Sequence, residues 1–133
     1  MAIKEKITPV ELSSLSKGKL VDASILLKEG RFDTAYYLCG YAIELALKRR
    51  ICLTLDWDGY PRKDFTDLSS FKTHKLASLL IMSGFEKKIK RDYLSVWSVV
   101  VDWDPEVRYS SQGMAQQAAE VMWASTKSLL EVL

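Results

Sequence analysis

The sequence is poor in the residues that most often carry catalytic or metal-binding chemistry. In 133 residues His74 is the only histidine, and Cys39 and Cys52 are the only cysteines. A structural zinc site of the usual Cys/His kind therefore lacks ligands. The chain also has no phosphate-loop glycine pattern, no dinucleotide fingerprint and no helix with two histidines. We expect neither a metal nor a cofactor, and any mechanism with an imidazole base must use His74. That residue lies near a predicted helix start, where capping or packing is its commoner role.

The two cysteines are too far apart in the predicted structure to form a disulfide. They are thirteen positions apart in what reads as one helix, which separates them by about 20 Å along its axis. A disulfide needs Cα atoms within about 7 Å of each other. Buried, reduced thiols are the expected state.

Chain breakers and long apolar runs are also scarce. The chain has three prolines and six glycines, and no apolar run approaches the roughly 18 residues that a membrane span needs. The first residues lack the continuous apolar stretch of a signal peptide. With 48% hydrophobic and 27% charged residues, residues 1–133 are expected to form one soluble cytoplasmic domain that does not contact a membrane.

Apolar side chains recur at helical spacing and predict an all-α fold, an antiparallel up-and-down bundle of about five helices. A capping box from Thr8 to Glu11 should begin the first helix, with Leu12 and Leu15 on its buried face and Gly30 after its end. The second helix, with Asp33 as its N-cap, should be the central one of the core. The second helix should run to about Leu55, and the third from about Thr73 to Ser83, with His74 in its first turn. The fourth should run from about Phe85 to Pro105. The fifth, with Met114 and Val121 on its apolar stripe, should run to the C-terminus.

The net charge is only +2, but the charges are unevenly placed. Between Lys48 and Arg91 the chain has eleven Lys or Arg against five Asp or Glu, an excess of +6, so the rest carries −4. This excess fits either a solvated helix surface or a phosphate-binding patch.

A second stripe on the predicted second helix combines aromatic and charged residues. Tyr37, Tyr41, Glu44 and Lys48 follow one another at intervals of four, three and four residues. One interpretation is an outer face with a Glu44–Lys48 ion pair one helical turn apart. The other is a dimer or ligand surface, because two tyrosines beside a charge pair suit an interface better than open solvent.

Arg108 and Tyr109 lie at the joint between the last two predicted helices. A buried arginine needs a carboxylate partner, for which Glu44 is the first candidate and Glu106 the local alternative. The other interpretation is a phosphate-binding arginine, because the planar guanidinium suits phosphate oxygens.

Several of these segments resemble HEPN domains, the higher eukaryotes and prokaryotes nucleotide-binding family. The stretch from Leu26 to Lys48 is similar to the first helical hairpin of that family, most clearly in its Ala-x-Glu-x-x-Leu-Lys element at 42–48. The segments 73–76 and 103–109 are similar to later pieces of some members. The resemblance implies a helical bundle that forms a homodimer and pairs with a small nucleotidyltransferase in a toxin–antitoxin-like arrangement.

Many members of that family are metal-independent ribonucleases that use an arginine followed, after four to six residues, by a histidine. Here the positions at that distance after Arg108 are Gly113, Met114 and Ala115. We therefore expect a non-catalytic HEPN-like module that dimerises and binds a nucleotide, RNA or a nucleotidyltransferase partner. One alternative is a weak or atypical ribonuclease that uses Arg108, with Tyr109 or His74 as the base, and a second is a purely structural dimerisation domain. The candidate binding residues are Arg108, Tyr109, Glu44, Lys48, Tyr37, Tyr41 and His74.

Overall fold

The structure is a computed structural model that describes residues 6–61, 71, 73–106 and 113–133. The described residues form an all-α helical bundle, which confirms the predicted fold class, with one small antiparallel ladder in addition. The elements in chain order are β1 (Lys6–Ile7), α1 (Pro9–Lys28), α2 (Phe32–Leu55), β2 (Tyr60–Pro61), α3 (Leu76–Ser83), α4 (Glu86–Asp92), α5 (Leu94–Val100) and α6 (Gln116–Leu130).

The capping box at the start of α1 is confirmed. The Thr8 hydroxyl accepts from the Glu11 backbone N–H at 3.2 Å, and the Glu11 carboxylate accepts from the Thr8 N–H at 3.4 Å. Gly30, with φ +75°, follows the end of the helix in the left-handed conformation that glycine adopts without strain. The short turn there joins α1 to α2, and the two helices pack along each other as a hairpin.

The predicted N-cap of α2 is wrong by two residues. Arg31 is the N-cap, and it makes no side-chain capping bond. The Asp33 carboxylate instead accepts from the Met114 backbone N–H. Asp33 therefore ties the segment before α6 to the first turn of α2.

Helix α2 is the central helix, as predicted, because α1, α3 and α6 all pack against it. Its side chains are buried on more than one face: every residue from Ala42 to Leu47, more than one full turn, is buried. A helix covered on several sides leaves little room for a solvated stripe. Glu44 is accordingly 2% exposed, so the interpretation of the stripe as an outer face does not hold at Glu44, although the Glu44–Lys48 ion pair that it included is present at 2.9 Å.

Two of the predicted later helices have different bounds. Helix α3 begins at Leu76, so His74 precedes it rather than lying in its first turn. The Thr73 hydroxyl accepts from the Lys75 N–H at 3.0 Å, a local turn that competes with helical bonding. The predicted fourth helix is two helices, because Tyr93 (φ −132°, ψ 25°) leaves the helical conformation between α4 and α5. Helix α5 ends at Val100, well before Pro105.

Of the remaining expectations about packing, some are confirmed and others are wrong. Cys39 and Cys52 are free and buried, as expected, whereas Leu15 and Val121 are more than 40% exposed, against the prediction. The ladder pairs Ile7 with Tyr60 and was not predicted, since two-residue strands carry no periodicity. Among the helices that the structure describes, none combines the length and apolarity of a membrane span.

Candidate functional site

A cavity of about 470 Å³ opens between α2, the segment that precedes α3 and the segment that follows α5. Helix α2 supplies one wall from successive turns, and the two non-helical segments supply the others. Its lining consists of Tyr37, Tyr41, Glu44, Thr73, His74, Lys75, Trp103, Asp104, Pro105 and Glu106.

Three aromatic side chains form one part of this lining. The ring centroids of Tyr37 and Tyr41, one helical turn apart on α2, are 6.2 Å from each other. The Trp103 indole lies 6.0 Å from the Tyr37 ring. These separations are typical of interacting aromatic pairs. The result is a continuous aromatic wall, in which Tyr37 and Tyr41 are partly exposed and can meet a flat ligand, whereas Trp103 is buried.

The Trp103 indole packs directly against α2 at a position occupied by a glycine, Gly40. A Cβ built on Gly40 would lie closer than 3.0 Å to three carbons of the indole ring, so any side chain there would overlap it. Trp103 is 3% exposed. Its Nε1 is buried and has no hydrogen-bond partner among the residues that the structure describes. A buried donor without a partner costs stability, so the contribution of Trp103 is its ring rather than a polar contact.

The Glu44 carboxylate lies beside the aromatic wall and joins two basic side chains. Glu44 Oε2 accepts from Lys48 Nζ at 2.9 Å. Glu44 Oε1 is 3.0 Å from His74 Nδ1. The Glu44 side chain is only 3% exposed, against 16% for Lys48 and 59% for His74. A carboxylate buried to this degree requires such partners, because desolvation of an unpaired charge costs several kcal/mol.

Among the described residues at the mouth of the cavity, carboxylates outnumber cations. Asp104 and Glu106 are exposed carboxylates of the lining, and Lys75 is an exposed cation. Asp104 Oδ1 accepts from the Glu106 backbone N–H at 2.8 Å, which orients the Asp104 carboxylate. With Glu44, the described lining therefore has three carboxylates against Lys75 and the titratable His74. Burial, followed by the charge of Glu44, raises the pKa of Tyr41, so its phenol remains protonated near neutral pH.

Four of the predicted site residues meet in this cavity: Tyr37, Tyr41, Glu44 and His74. Lys48 contacts it through Glu44. His74 neither caps α3 nor lies within it, and its ring contacts the Glu44 carboxylate instead. Arg108 and Tyr109 lie outside the described residues, and so do the predicted Arg108 pairs with Glu44 or Glu106.

Sequence reasoning missed the aromatic role of Trp103, which falls within the range predicted for the fourth helix. A signal was present in Gly40, because a glycine in the middle of a long helix costs about 1 kcal/mol relative to alanine and often has a packing reason. A glycine in a helix does not, however, indicate which residue packs against it. Only the folded chain shows that the segment after α5 places the indole against Gly40.

No group of three or more acidic, histidine or cysteine side chains in the described part of the chain is arranged to hold a metal ion. Comparisons of this chain with models of protein families, with curated proteins and with solved structures find no match. The function is therefore inferred from the cavity and its residues.

Proposed function

We propose that this chain is a non-catalytic, HEPN-like binding module that accepts a nucleotide, free or within an RNA segment, with its base in the cavity beside α2. The observation that carries the proposal is that an aromatic wall and a buried carboxylate share one cavity. Bases stack on aromatic side chains and are read by hydrogen bonds at their edges. The partly exposed ring of Tyr37, packed against Trp103, supplies the first kind of contact, and the carboxylates of the lining supply acceptors for the second.

The test compares two neighbouring tyrosines of α2. Tyr37 lines the cavity, whereas Tyr36 lines a separate groove with Val99 and Val121. Base stacking on an aromatic ring contributes about 1–3 kcal/mol by alanine substitution, which corresponds to a roughly 5- to 150-fold change in Kd. We expect Tyr37→Ala to weaken nucleoside binding in titration calorimetry by such a factor and Tyr36→Ala to leave it unchanged. No binding by the parent protein, or an equal loss in both variants, would contradict the proposal.

A second candidate, an atypical ribonuclease, is favoured by the Glu44–His74 contact. A carboxylate that accepts from one imidazole nitrogen orients the ring and leaves the other nitrogen as a proton acceptor. His74 is also exposed enough to meet a substrate. The charges of Asp104 and Glu106 argue against this candidate, because they repel the phosphodiester that would have to approach His74.

Incubation with single-stranded RNA in EDTA separates the two candidates. The binding proposal expects no cleavage above background in the parent protein. Cleavage that is lost in both His74→Ala and Glu44→Gln would establish the ribonuclease instead, and Arg108→Ala would then test the charge-stabilising group.

The assembly is also part of the proposal and rests on the family resemblance. We propose a cytoplasmic homodimer that pairs with a small nucleotidyltransferase in a toxin–antitoxin-like arrangement. Light scattering should give about twice the 15.1 kDa chain mass, and the nucleotidyltransferase should co-purify from the native host. A dimer that binds no nucleotide at all would indicate a purely structural dimerisation domain.

A further inference from the structure

We infer that the cavity selects guanine over the other bases through the Asp104 carboxylate. This inference rests on the proposed base-binding function and names the ligand class of the same site. It follows from the kinds of hydrogen-bonding groups that the lining presents, and in particular from its excess of acceptors.

The polar groups that line the cavity are mainly carboxylates. Ionised Glu44, Asp104 and Glu106 can only accept hydrogen bonds. Guanine is the standard base whose pairing edge has two adjacent donors, the N1 imino and the N2 amino group. A carboxylate can accept both bonds at once. In adenine and cytosine the amino group is next to an acceptor nitrogen, and in uracil the single imino donor lies between two carbonyls, so each would direct a lone pair at a carboxylate oxygen.

Asp104 is the carboxylate best placed to make this contact. Both Glu44 oxygens already have basic partners, and Glu44 is almost fully buried. Asp104 is exposed at the mouth, directly follows Trp103 in the chain, and is oriented by its bond from the Glu106 N–H. A base stacked on the aromatic wall would meet a carboxylate that is already in position, which reduces the ordering cost of binding.

The charges of the described lining residues also favour entry of one part of a nucleotide, the base, into the cavity. Among the described lining residues three carboxylates face Lys75 and His74, a balance that favours a neutral base with donor groups over a phosphate. The Lys75 ammonium, also in the lining, can donate to the guanine O6 acceptor. The phosphate of a bound nucleotide would therefore remain outside the cavity.

The test uses guanosine and inosine, which differ only in the 2-amino group. We expect calorimetric titration at pH 7 to give a Kd for guanosine about tenfold or more below those for inosine, adenosine, cytidine and uridine, as a bidentate base contact implies. Asp104→Asn replaces one acceptor by a donor and should raise the guanosine Kd to that of inosine. Asp102→Asn, an exposed change two residues away that does not line the cavity, is the matched control and should have no effect.

Each outcome supports or overturns a distinct statement. If no nucleoside binds, the proposed function itself fails. If all nucleosides bind with similar Kd values, or guanosine and inosine bind equally, base binding stands and guanine selection is overturned. If Asp104→Asn and Asp102→Asn both leave guanosine selection intact, the assignment to Asp104 is overturned. A melting temperature for each variant establishes that it is folded under the assay conditions.

Discussion

The contact between Gly40 and Trp103 predicts that one substitution, glycine to alanine, has opposite effects at two helical positions. In the middle of a helix this change ordinarily stabilises a protein by up to about 1 kcal/mol, because alanine has the better helix propensity. A Cβ added at Gly18, in α1, would meet nothing within 4 Å, so this position should behave in the ordinary way. Gly40 should not, because its Cβ would overlap the indole of Trp103.

The expected change in the free energy of unfolding for Gly40→Ala follows from the burial of Trp103. The indole is 3% exposed and packs against Tyr37, so it cannot move aside into solvent without losing that packing. Overpacking a core costs about 1–3 kcal/mol, and the propensity gain offsets up to about 1 kcal/mol of it. Because the overlap is with carbons of a buried ring, the cost lies in the upper part of that range, about 2–3 kcal/mol. With the propensity offset, we expect Gly40→Ala to lower the free energy of unfolding by about 1–3 kcal/mol, and Gly18→Ala to raise it by up to about 1 kcal/mol.

Thermal or urea unfolding of the two variants beside the parent protein measures this difference. For a domain of this length, 1 kcal/mol corresponds to about 3–5 °C in Tm. Nucleoside binding should fall in Gly40→Ala and not in Gly18→Ala, because only the first displaces a wall of the cavity. Equal stabilisation by both changes would refute the placement of Trp103 on Gly40, and with it the aromatic wall.

Three further predictions concern stability. Thr8→Ala removes the capping box and should cost about 1 kcal/mol in urea unfolding; no loss would show that the cap contributes nothing. The Arg50 guanidinium donates twice to the Leu133 carbonyl oxygen and lies 4.3 Å from the Phe85 ring. Arg50→Lys keeps the charge but loses these contacts, so it should lower the free energy of unfolding by about 1–2 kcal/mol. Unfolding at the parent's urea midpoint would contradict this. Burial raises the pKa of Cys39 from about 9 to about 12, so the unfolded chain loses this proton first and the free energy of unfolding should fall as pH rises above about 9. The Cys39→Ala variant should show a shallower decline over about pH 9–11, and an unchanged slope would contradict the prediction.

The features that the sequence predicts correctly are local ones. The capping box of α1, the glycine after α1 at Gly30, the limit of α2 at Leu55 and the end of α3 at Ser83 depend on residues within a few positions of one another. Backbone hydrogen bonding and φ preferences act over that range, so a linear pattern contains them. The free cysteines were predictable for the same reason, since helical rise alone separates them.

The features that escape prediction depend on distant parts of the chain. The apolar spacing of the fourth predicted helix continues through Tyr93, where the structure breaks it, and we have no local account of that break. The exposure of Leu15 and Val121 is likewise decided by which neighbours the bundle supplies. The pairing of His74 with Glu44 spans 30 residues, and nothing in either local pattern indicates it.

Glu44 shows why the candidate site was found in part and its geometry was not. Its spacing with Tyr37, Tyr41 and Lys48 identified a stripe with unusual chemistry, but a polar residue in an apolar helix predicts an outer face by default. In the fold this position is almost fully buried and its carboxylate joins Lys48 and His74. Replacing a buried ion pair by apolar residues of similar volume is often neutral or stabilising, so stability alone does not account for a carboxylate here. Under the proposed function a carboxylate has a use here that a leucine would not have, because it holds His74 at the cavity, beside the aromatic wall.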